Sequence, residues 1–289
     1  MIAHILKLMR LHHWVKNLMI FLPAFFAGVF SFDSGVSNLI IAFVSFSFAA
    51  SGIYVVNDIR DLQFDKLHPQ KKLRPIASGT VSDMKAKLIA VGCFVVAIVA
   101  SFLLGSEFRI ILISYIILNF LYSYFLKSIA VVDLLIIASG FLLRVYAGGF
   151  VADIPISKWL FLLVFELSIF IGLAKRRDDL LVLENTGEAV RKSISGYSLK
   201  FIDFAMVFIA SITVLSYVMY TLSEEVVARI GTDILHWSAI FVIVGILRYM
   251  QITWVAKKSG SPVRLILSDA ALIVLVLGWI SFFAYCLYF

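Results

Sequence analysis

Charge is scarce in this sequence: Asp, Glu, Lys and Arg together make up 15% of the residues, against 62% hydrophobic and 15% aromatic. So few charges cannot solvate the surface of a water-soluble domain, and a chain of this composition is housed in a bilayer. Cysteine is scarcer still. Cys93 and Cys286 both fall inside apolar segments, which argues against a disulfide framework or a thiolate metal site. His12, His13 and His68 lack metal-ligand spacing; His12 and His13 read as interfacial. No short charged stretch followed by a cleavage site marks a removable signal peptide, so the first apolar segment is expected in the mature protein. No low-complexity tract or long Gly/Ser linker divides the chain, and one polytopic domain over residues 1–289 is expected. The basic balance could suit nucleic acid, but no recognised module for it is present.

What is there is a succession of long apolar runs. With a window of about 20 residues per span, they lie near 15–31, 38–56, 87–104, 109–126, 130–150, 157–174, 201–221, 235–254 and 266–287. The expected fold class is therefore an all-α integral membrane protein with nine transmembrane helices, the pair around Lys127 forming a helical hairpin. Basic residues are distributed one-sidedly. Lys7, Arg10 and Lys16 precede the first span, and Arg60, Lys66, Lys71, Lys72, Arg74, Lys85 and Lys87 lie between the second and third. Lys175, Arg176, Arg177, Arg191, Lys192 and Lys200 separate the sixth and seventh, and Lys257, Lys258 and Arg264 the eighth and ninth. The opposite side has only Arg109, Lys158 and Arg229. This asymmetry places the N-terminus and two long loops, at about 57–86 and 175–200, in the cytoplasm. The net charge of +7 is thus a one-sided field suited to anionic lipid heads and phosphorylated substrates.

The first loop opens on Asn57-Asp58-Ile59-Arg60-Asp61-Leu62-Gln63-Phe64-Asp65. If the preceding helix runs on for two more turns, the three acids at i, i+3 and i+7 share one face. Acids so close repel unless cations neutralise them, and oxygen ligands that leave room for water suit Mg²⁺ bridging to a phosphate. A solvated, charged helix end is the plainer reading of the same spacing. Cations follow within a few residues: His68-Pro69, Lys71, Lys72 and Arg74-Pro75-x-x-Ser78-Gly79, and these could hold phosphate oxygens directly. The second loop runs from Lys175-Arg176-Arg177-Asp178-Asp179 through Glu184-Asn185-Thr186-Gly187 to Arg191-Lys192-Ser193. A positive-inside anchor would also explain its basic part.

The Asn57-Asp58-x-x-Asp61-x-x-x-Asp65 motif, the Arg74-Pro75-x-x-Ser78-Gly79 stretch and the layout of spans resemble the UbiA superfamily of intramembrane prenyltransferases, along essentially the whole chain. The resemblance implies a helical bundle around a central cavity flanked by two acidic loops that bind Mg²⁺ and a diphosphate, with a lateral opening for a polyprenyl chain. The second loop departs from the D-x-x-x-D pattern common among aromatic-acceptor members. Its Lys-Arg start, Thr186-Gly187, Arg191-Lys192-Ser193 and Tyr197, together with Trp14-Val15-Lys16-Asn17 and His68-Pro69, resemble the polyprenyl-phosphate phosphoribosyltransferase branch.

That resemblance implies transfer of a 5-phosphoribosyl group from phosphoribosyl diphosphate (PRPP) to a polyprenyl phosphate such as decaprenyl phosphate, releasing pyrophosphate. The product would feed pentose or arabinan precursors of a cell envelope, at a bacterial inner membrane. In this reading Asp58, Asp61 and Asp65, with Asn57, hold Mg²⁺ against the donor diphosphate. Lys72 and Arg74 meet the diphosphate or the 5-phosphate, Lys175, Arg176, Arg191 and Lys192 form a facing clamp, and Lys16 with Asn17 meets the lipid phosphate. A phosphate monoester is already nucleophilic at neutral pH, so positioning is the main task. The alternatives are a prenyltransferase moving a prenyl group from its diphosphate to an aromatic acceptor, and a non-enzymatic transporter or lipid-binding protein. Soluble phosphoribosyltransferases carry a different, strand-borne acidic motif, which this chain lacks.

Charges inside spans need a partner or a cavity. Asp133 and Arg144 are each expected to pair with another helix, Asp133 either at the cavity or as a structural contact, and Glu166 with Arg248 as a possible buried pair. Tyr122 and Tyr124 suit either a substrate phosphate or an interfacial aromatic belt. Gly140, Gly148 and Gly149 suit close helix packing.

Overall fold

In a bilayer each peptide group must find its partner inside its own segment, so apolar runs of this length become helices. The computed structural model describes residues 2–28, 34–67, 71–186, 192–255, 265 and 268–288, and among them there is no strand. Packing divides the chain into two compact units, Met1–Tyr124 with Gly140–Ile156, and Phe125–Ser139 with Ser157–Phe289. One helix, Val132–Val151, contributes its first two turns to one unit and the remainder to the other.

The first unit begins with α1 (Ile2–Met9), a left-handed turn at Arg10 (φ 52°) and a 3-10 segment, Leu11–Phe21. Then come α2 (Leu22–Ala27), with Pro23 in its first turn and Gly28 as its left-handed cap, α3 (Ser34–Arg60) and the short α4 (Leu62–Leu67). Next are α5 (Asp83–Ser101), whose N-terminus Ser82 caps by accepting from the Lys85 N–H, α6 (Ser106–Tyr124) and most of α7 (Val132–Val151). Helix α3 packs chiefly on α5, and its inward face is built from small residues: Ala42, Ser45, Ala49 and Ser51 are wholly buried. Ser45 donates to the Ala97 carbonyl at 2.8 Å across that contact. Gly148 is required by close approach, since a Cβ there would collide with the backbone carbonyl of Ile20. At Gly149 a Cβ would lie 2.8 Å from the Ile154 carbonyl oxygen, whereas at Gly140 its nearest neighbour would be 3.6 Å away.

The second unit comprises the start of α7, then α8 (Lys158–Thr186), α9 (Leu199–Leu222), capped by Ser198, and α10 (Glu224–Ile230). It ends with α11 (Ala239–Trp254) and α12 (Ala270–Tyr288). Its core gathers Leu134, Phe170, Leu173, Ile194, Ile202, Met206 and Tyr249. Outward faces are apolar: Val91, Val95 and Val99 on α5 and Phe204, Phe208 and Leu215 on α9 are all exposed, the stripe a lipid-facing helix presents.

Seven helices among the described residues are long and apolar enough to cross a membrane: Val36–Arg60, Asp83–Ser101, Ser106–Tyr124, Val132–Val151, Leu199–Leu222, Ile234–Trp254 and Ala270–Tyr288. Nine were expected. Of the run at 15–31, residues 15–27 fold as a 3-10 segment and the six-residue α2, and 29–31 lie outside the described residues. The run at 157–174 lies on α8, which is long enough but carries Lys158, Glu166, Lys175 and Arg176.

Candidate active site

Helical hydrogen bonding continues through the junction of α3 and α4: the Asp61 N–H donates to the Asn57 carbonyl and the Asp65 N–H to the Asp61 carbonyl, both at 2.9 Å. The acids therefore follow a nearly unbroken helical path. Asp58 and Asp65 are buried, each 3% exposed, while Asn57 and Asp61 are half-buried.

Two guanidinium groups close over this face. Arg10 donates to Asp58 Oδ1 at 2.5 Å, and Arg74 Nη1 donates both to Asp58 Oδ1 at 3.1 Å and to Asp65 Oδ2 at 2.7 Å. Arg74 is held there by a compact turn. Its carbonyl accepts from the Ser78 N–H, the Pro75 carbonyl accepts from the Val81 N–H and the Thr80 hydroxyl, and Gly79 takes φ 76°. Buried Ile76 and Val81 pin that turn to Leu8, Val55, Ala86 and Ala90. Gly79 adopts a conformation that costs other residues energy, so the Arg74-Pro75-x-x-Ser78-Gly79 sequence is the scaffold that aims one guanidinium between two acids. Lys72 is exposed one turn away, and His68 lies outside the described residues.

The donor set can be tested against a divalent cation. Asp58 and Asp65 already converge on a single positively charged atom, Arg74 Nη1. They offer only anionic oxygen, the donor type that Mg²⁺ prefers. No group of three or more His, Cys, Asp or Glu side chains is gathered for metal binding among the described residues; the pair that converges is Asp58 with Asp65. The residues fit a hard cation shared with a phosphate ligand.

Deeper in the same unit lies a second polar cluster. Asn17 is 1% exposed; its Nδ2 donates to Ser47 at 2.8 Å and its Oδ1 accepts from Arg144 Nε at 2.6 Å. Arg144 also donates to the Gly140 carbonyl at 2.6 Å and to the Tyr115 hydroxyl at 2.8 Å. The amide expected to greet the lipid phosphate is thus engaged inside the protein, because Arg144 needs an acceptor there. Lys16, beside it, is half-buried. Tyr122 is half-buried, and Tyr124, half exposed, lies under the Arg60 guanidinium, 4.7 Å from its ring centroid.

In the second unit Arg176 is 1% exposed and donates from Nε to Asp133 at 2.7 Å, with Asp179 at 3.5 Å from Nη1. Tyr197 donates to the other Asp133 oxygen at 2.7 Å and accepts from the Val131 N–H at 2.7 Å. Burial, then the hydrogen bond to Asp133, push the Tyr197 phenol well above its ordinary range, so it stays protonated and donating. Val131 has φ 67°, a strained conformation for a β-branched residue, stabilised by that bond. Arg177 donates to Asp203 and to the Thr253 carbonyl at 2.7 and 3.0 Å. Of the expected clamp, then, Arg176 is an internal strut, Lys175 is half-buried on α8, and Arg191 and the Lys192 side chain lie outside the described residues. The expected Glu166–Arg248 pair does not form: Glu166 accepts from Ser216 at 2.9 Å, whereas Arg248 pairs with Asp269 at 2.7 Å and Gln251.

Arg10 and Tyr54 are residues that sequence reasoning passed over. Arg10 was legible only as an inside positive charge; the left-handed turn that swings it onto Asp58 is tertiary. Tyr54 sits four residues before Asp58, one turn back on the acid face, a position that counting along the helix would have flagged.

Residues 17–182 match the UbiA prenyltransferase family. The chain belongs to that family. This UbiA-family chain is 33% identical to the decaprenyl-phosphate phosphoribosyltransferase of Mycolicibacterium smegmatis, covering 100% of this chain and 94% of that protein. It is 34% identical to the enzyme of the same name from Corynebacterium glutamicum, over 95% of this chain and 84% of that one. The fold is that of a UbiA homolog from Archaeoglobus fulgidus solved with GPP and Mg²⁺ (TM-score 0.74, 17% identity, 99% and 100% of the two chains). With its apolar helices, UbiA membership makes this an integral membrane protein of a transferase family.

Proposed function

We propose that this chain transfers the 5-phosphoribosyl group from PRPP to a polyprenyl phosphate such as decaprenyl phosphate, releasing pyrophosphate, in the synthesis of cell-envelope pentose precursors. The observation that carries the reading is the near-full-length likeness to relatives bearing that activity in their names. The chemistry of the first site agrees with it: two arginines stand over the acid motif, and a donor with a diphosphate and a 5-phosphate, meeting a lipid phosphate, calls for more cationic groups than a prenyl diphosphate does.

Asp58, Asp61 and Asp65, with Asn57, would hold Mg²⁺, which would supply positive charge to offset that of the departing pyrophosphate. Arg74 and Arg10, now bonded to the acids, turn their remaining donors to phosphate oxygens, and exposed Lys72 meets the 5-phosphate. An oxygen of the lipid phosphate bonds to C1 of the ribose as the bond from C1 to the diphosphate oxygen breaks, with oxocarbenium character at C1 between the two. The nucleophile is already an anion, so no general base is required. Lys175, Arg191 and Lys192 supply further phosphate contacts. The chain crosses the inner membrane with its N-terminus and both long loops cytoplasmic.

The test is turnover by the purified protein in detergent with Mg²⁺, polyprenyl phosphate and radiolabelled PRPP. Label should enter the lipid fraction with the unaltered protein and fall at least a hundredfold with Asp61→Asn, of the order expected when charge stabilisation of the leaving group is removed. Absence of transfer, together with activity on a prenyl diphosphate and an aromatic acceptor, would favour the prenyltransferase alternative.

A further inference from the structure

Arg144 carries a positive charge deep in α7, yet its recorded hydrogen bonds all go to neutral acceptors: the Asn17 amide oxygen, the Gly140 carbonyl and the Tyr115 hydroxyl. Among the described residues it has no carboxylate partner, and the rings of Phe46, Tyr115 and Phe141 surround it at 4.6–5.9 Å. At 5% exposure such a charge is costly unless an anion approaches it. Its side chain reaches back along α7 to Gly140, toward the end of the helix that starts at Val132, as helical side chains do.

The field of Arg144 extends to Tyr54. The charges of Arg144 and Arg10 both act on the Tyr54 phenol, and Tyr115 is close enough to couple with it. Arg10 stacks over the Tyr54 ring at 4.9 Å and His13 meets it edge-on at 5.1 Å. The Tyr54 hydroxyl itself has no hydrogen-bond partner among the described residues. An unused hydroxyl donor on a ring that Arg10 covers, within the field of Arg144, has the chemistry of an anion site.

Position selects the anion. Tyr54 precedes Asp58 by one helical turn, about 6 Å along α3, on the side that leads into the membrane span. Soluble phosphates reach Asp58 from the loop side; a phosphate tethered to a polyprenyl chain reaches it from within the bilayer. We propose that Tyr54, stacked under Arg10, binds the phosphate monoester of the acceptor lipid one turn to the membrane side of the acid motif, with the buried charge of Arg144 in the same packed unit favouring the anion. This rests on the phosphoribosyl-transfer reading for the identity of the lipid, while the anion site rests on the side chains alone. Tyr54 is a binding residue here, and Arg144 with Tyr115 and Asn17 sets the field around it.

Tyr54→Phe keeps the ring contacts to His13 and Arg10 and removes only the hydroxyl. Thermal stabilisation of the full chain in detergent should be titrated with decaprenyl phosphate, with decaprenol and with pyrophosphate, and KM measured for lipid and for PRPP. Unaltered protein should be stabilised by the lipid phosphate far more than by the alcohol. Tyr54→Phe should need about tenfold more lipid phosphate, the loss expected for one hydrogen bond to a charged group, with its pyrophosphate titration and its KM for PRPP unchanged. Arg144→Gln should show the same selective loss where its melting remains cooperative. An unshifted lipid-phosphate titration in Tyr54→Phe overturns the proposal, as does an equal shift for pyrophosphate, which would assign the site to a soluble phosphate. If the protein transfers no phosphoribose yet its stabilisation by lipid phosphate still depends on Tyr54, the functional reading fails and the anion site stands.

Discussion

Replacing Arg176 by alanine gives the sharpest separation between a structural and a catalytic basic residue in the second loop. The guanidinium is 1% exposed and bonds Asp133, itself 0% exposed, at 2.7 Å, with Asp179 at 3.5 Å. Removing it leaves the Asp133 carboxylate buried without its cation, a change that costs about 3–5 kcal/mol when one member of a buried pair is deleted. At roughly 2–4 °C per kcal/mol for a protein unit of this size, Tm should fall by about 10 °C. Asp133→Asn in the same background should recover part of that loss, because the amide carries no charge and still accepts from the Tyr197 hydroxyl. The assay is thermal unfolding in detergent of the two single variants and the double variant, with KM for PRPP measured well below the transition. A Tm within 2 °C of the parent, or additive losses in the double variant, would refute the strut; a large rise in KM at unchanged Tm would return Arg176 to the substrate clamp.

Arg74→Ala removes the bond to Asp65 and one of two to Asp58 and should weaken donor binding by tenfold or more, read as KM for PRPP, with Arg74→Lys recovering only part because a point charge cannot bridge both acids. Gly148→Ala drives a methyl group into the Ile20 carbonyl and should cost about 1–3 kcal/mol, visible as a lowered Tm. Asp269 is held below the usual carboxylate range by the Arg248 guanidinium and then by the Leu272 N–H. A depressed carboxylate contributes stability that is present above its unfolded pKa of about 4 and lost as pH falls through its folded value. Amide exchange at the start of α12 should therefore accelerate on acidification below about pH 4, and Asp269→Asn should abolish that dependence.

Which parts were legible in the sequence follows from how local each signal is. The acid motif could be read as one helical face because its spacing depends only on the 3.6-residue period, and the backbone bonds at Asp61 and Asp65 carry that period through. The packing role expected of Gly148 rests on its lack of a side chain, and the Ile20 backbone lies against it. The partners of buried charges were not legible. Glu166 and Arg248 share no contact because nothing in a sequence says which faces of two helices meet; Ser216 and Asp269 are the neighbours that packing supplied. Hydropathy measures solvent preference and not helix type, so the apolar run that begins at 15 did not announce that its residues up to Phe21 form a 3-10 segment whose Asn17 answers Arg144.

By itself the sequence determined the solvent, the helical class and the acid motif: composition and period suffice when water is absent and every peptide group must bond within its own segment. Only the tertiary structure decided what neutralises those acids and what occupies the buried polar positions. Arg10 lies 48 residues from Asp58, and Arg144 lies 127 from Asn17. Contacts over such separations arise from the packing of whole helices, which no local pattern encodes.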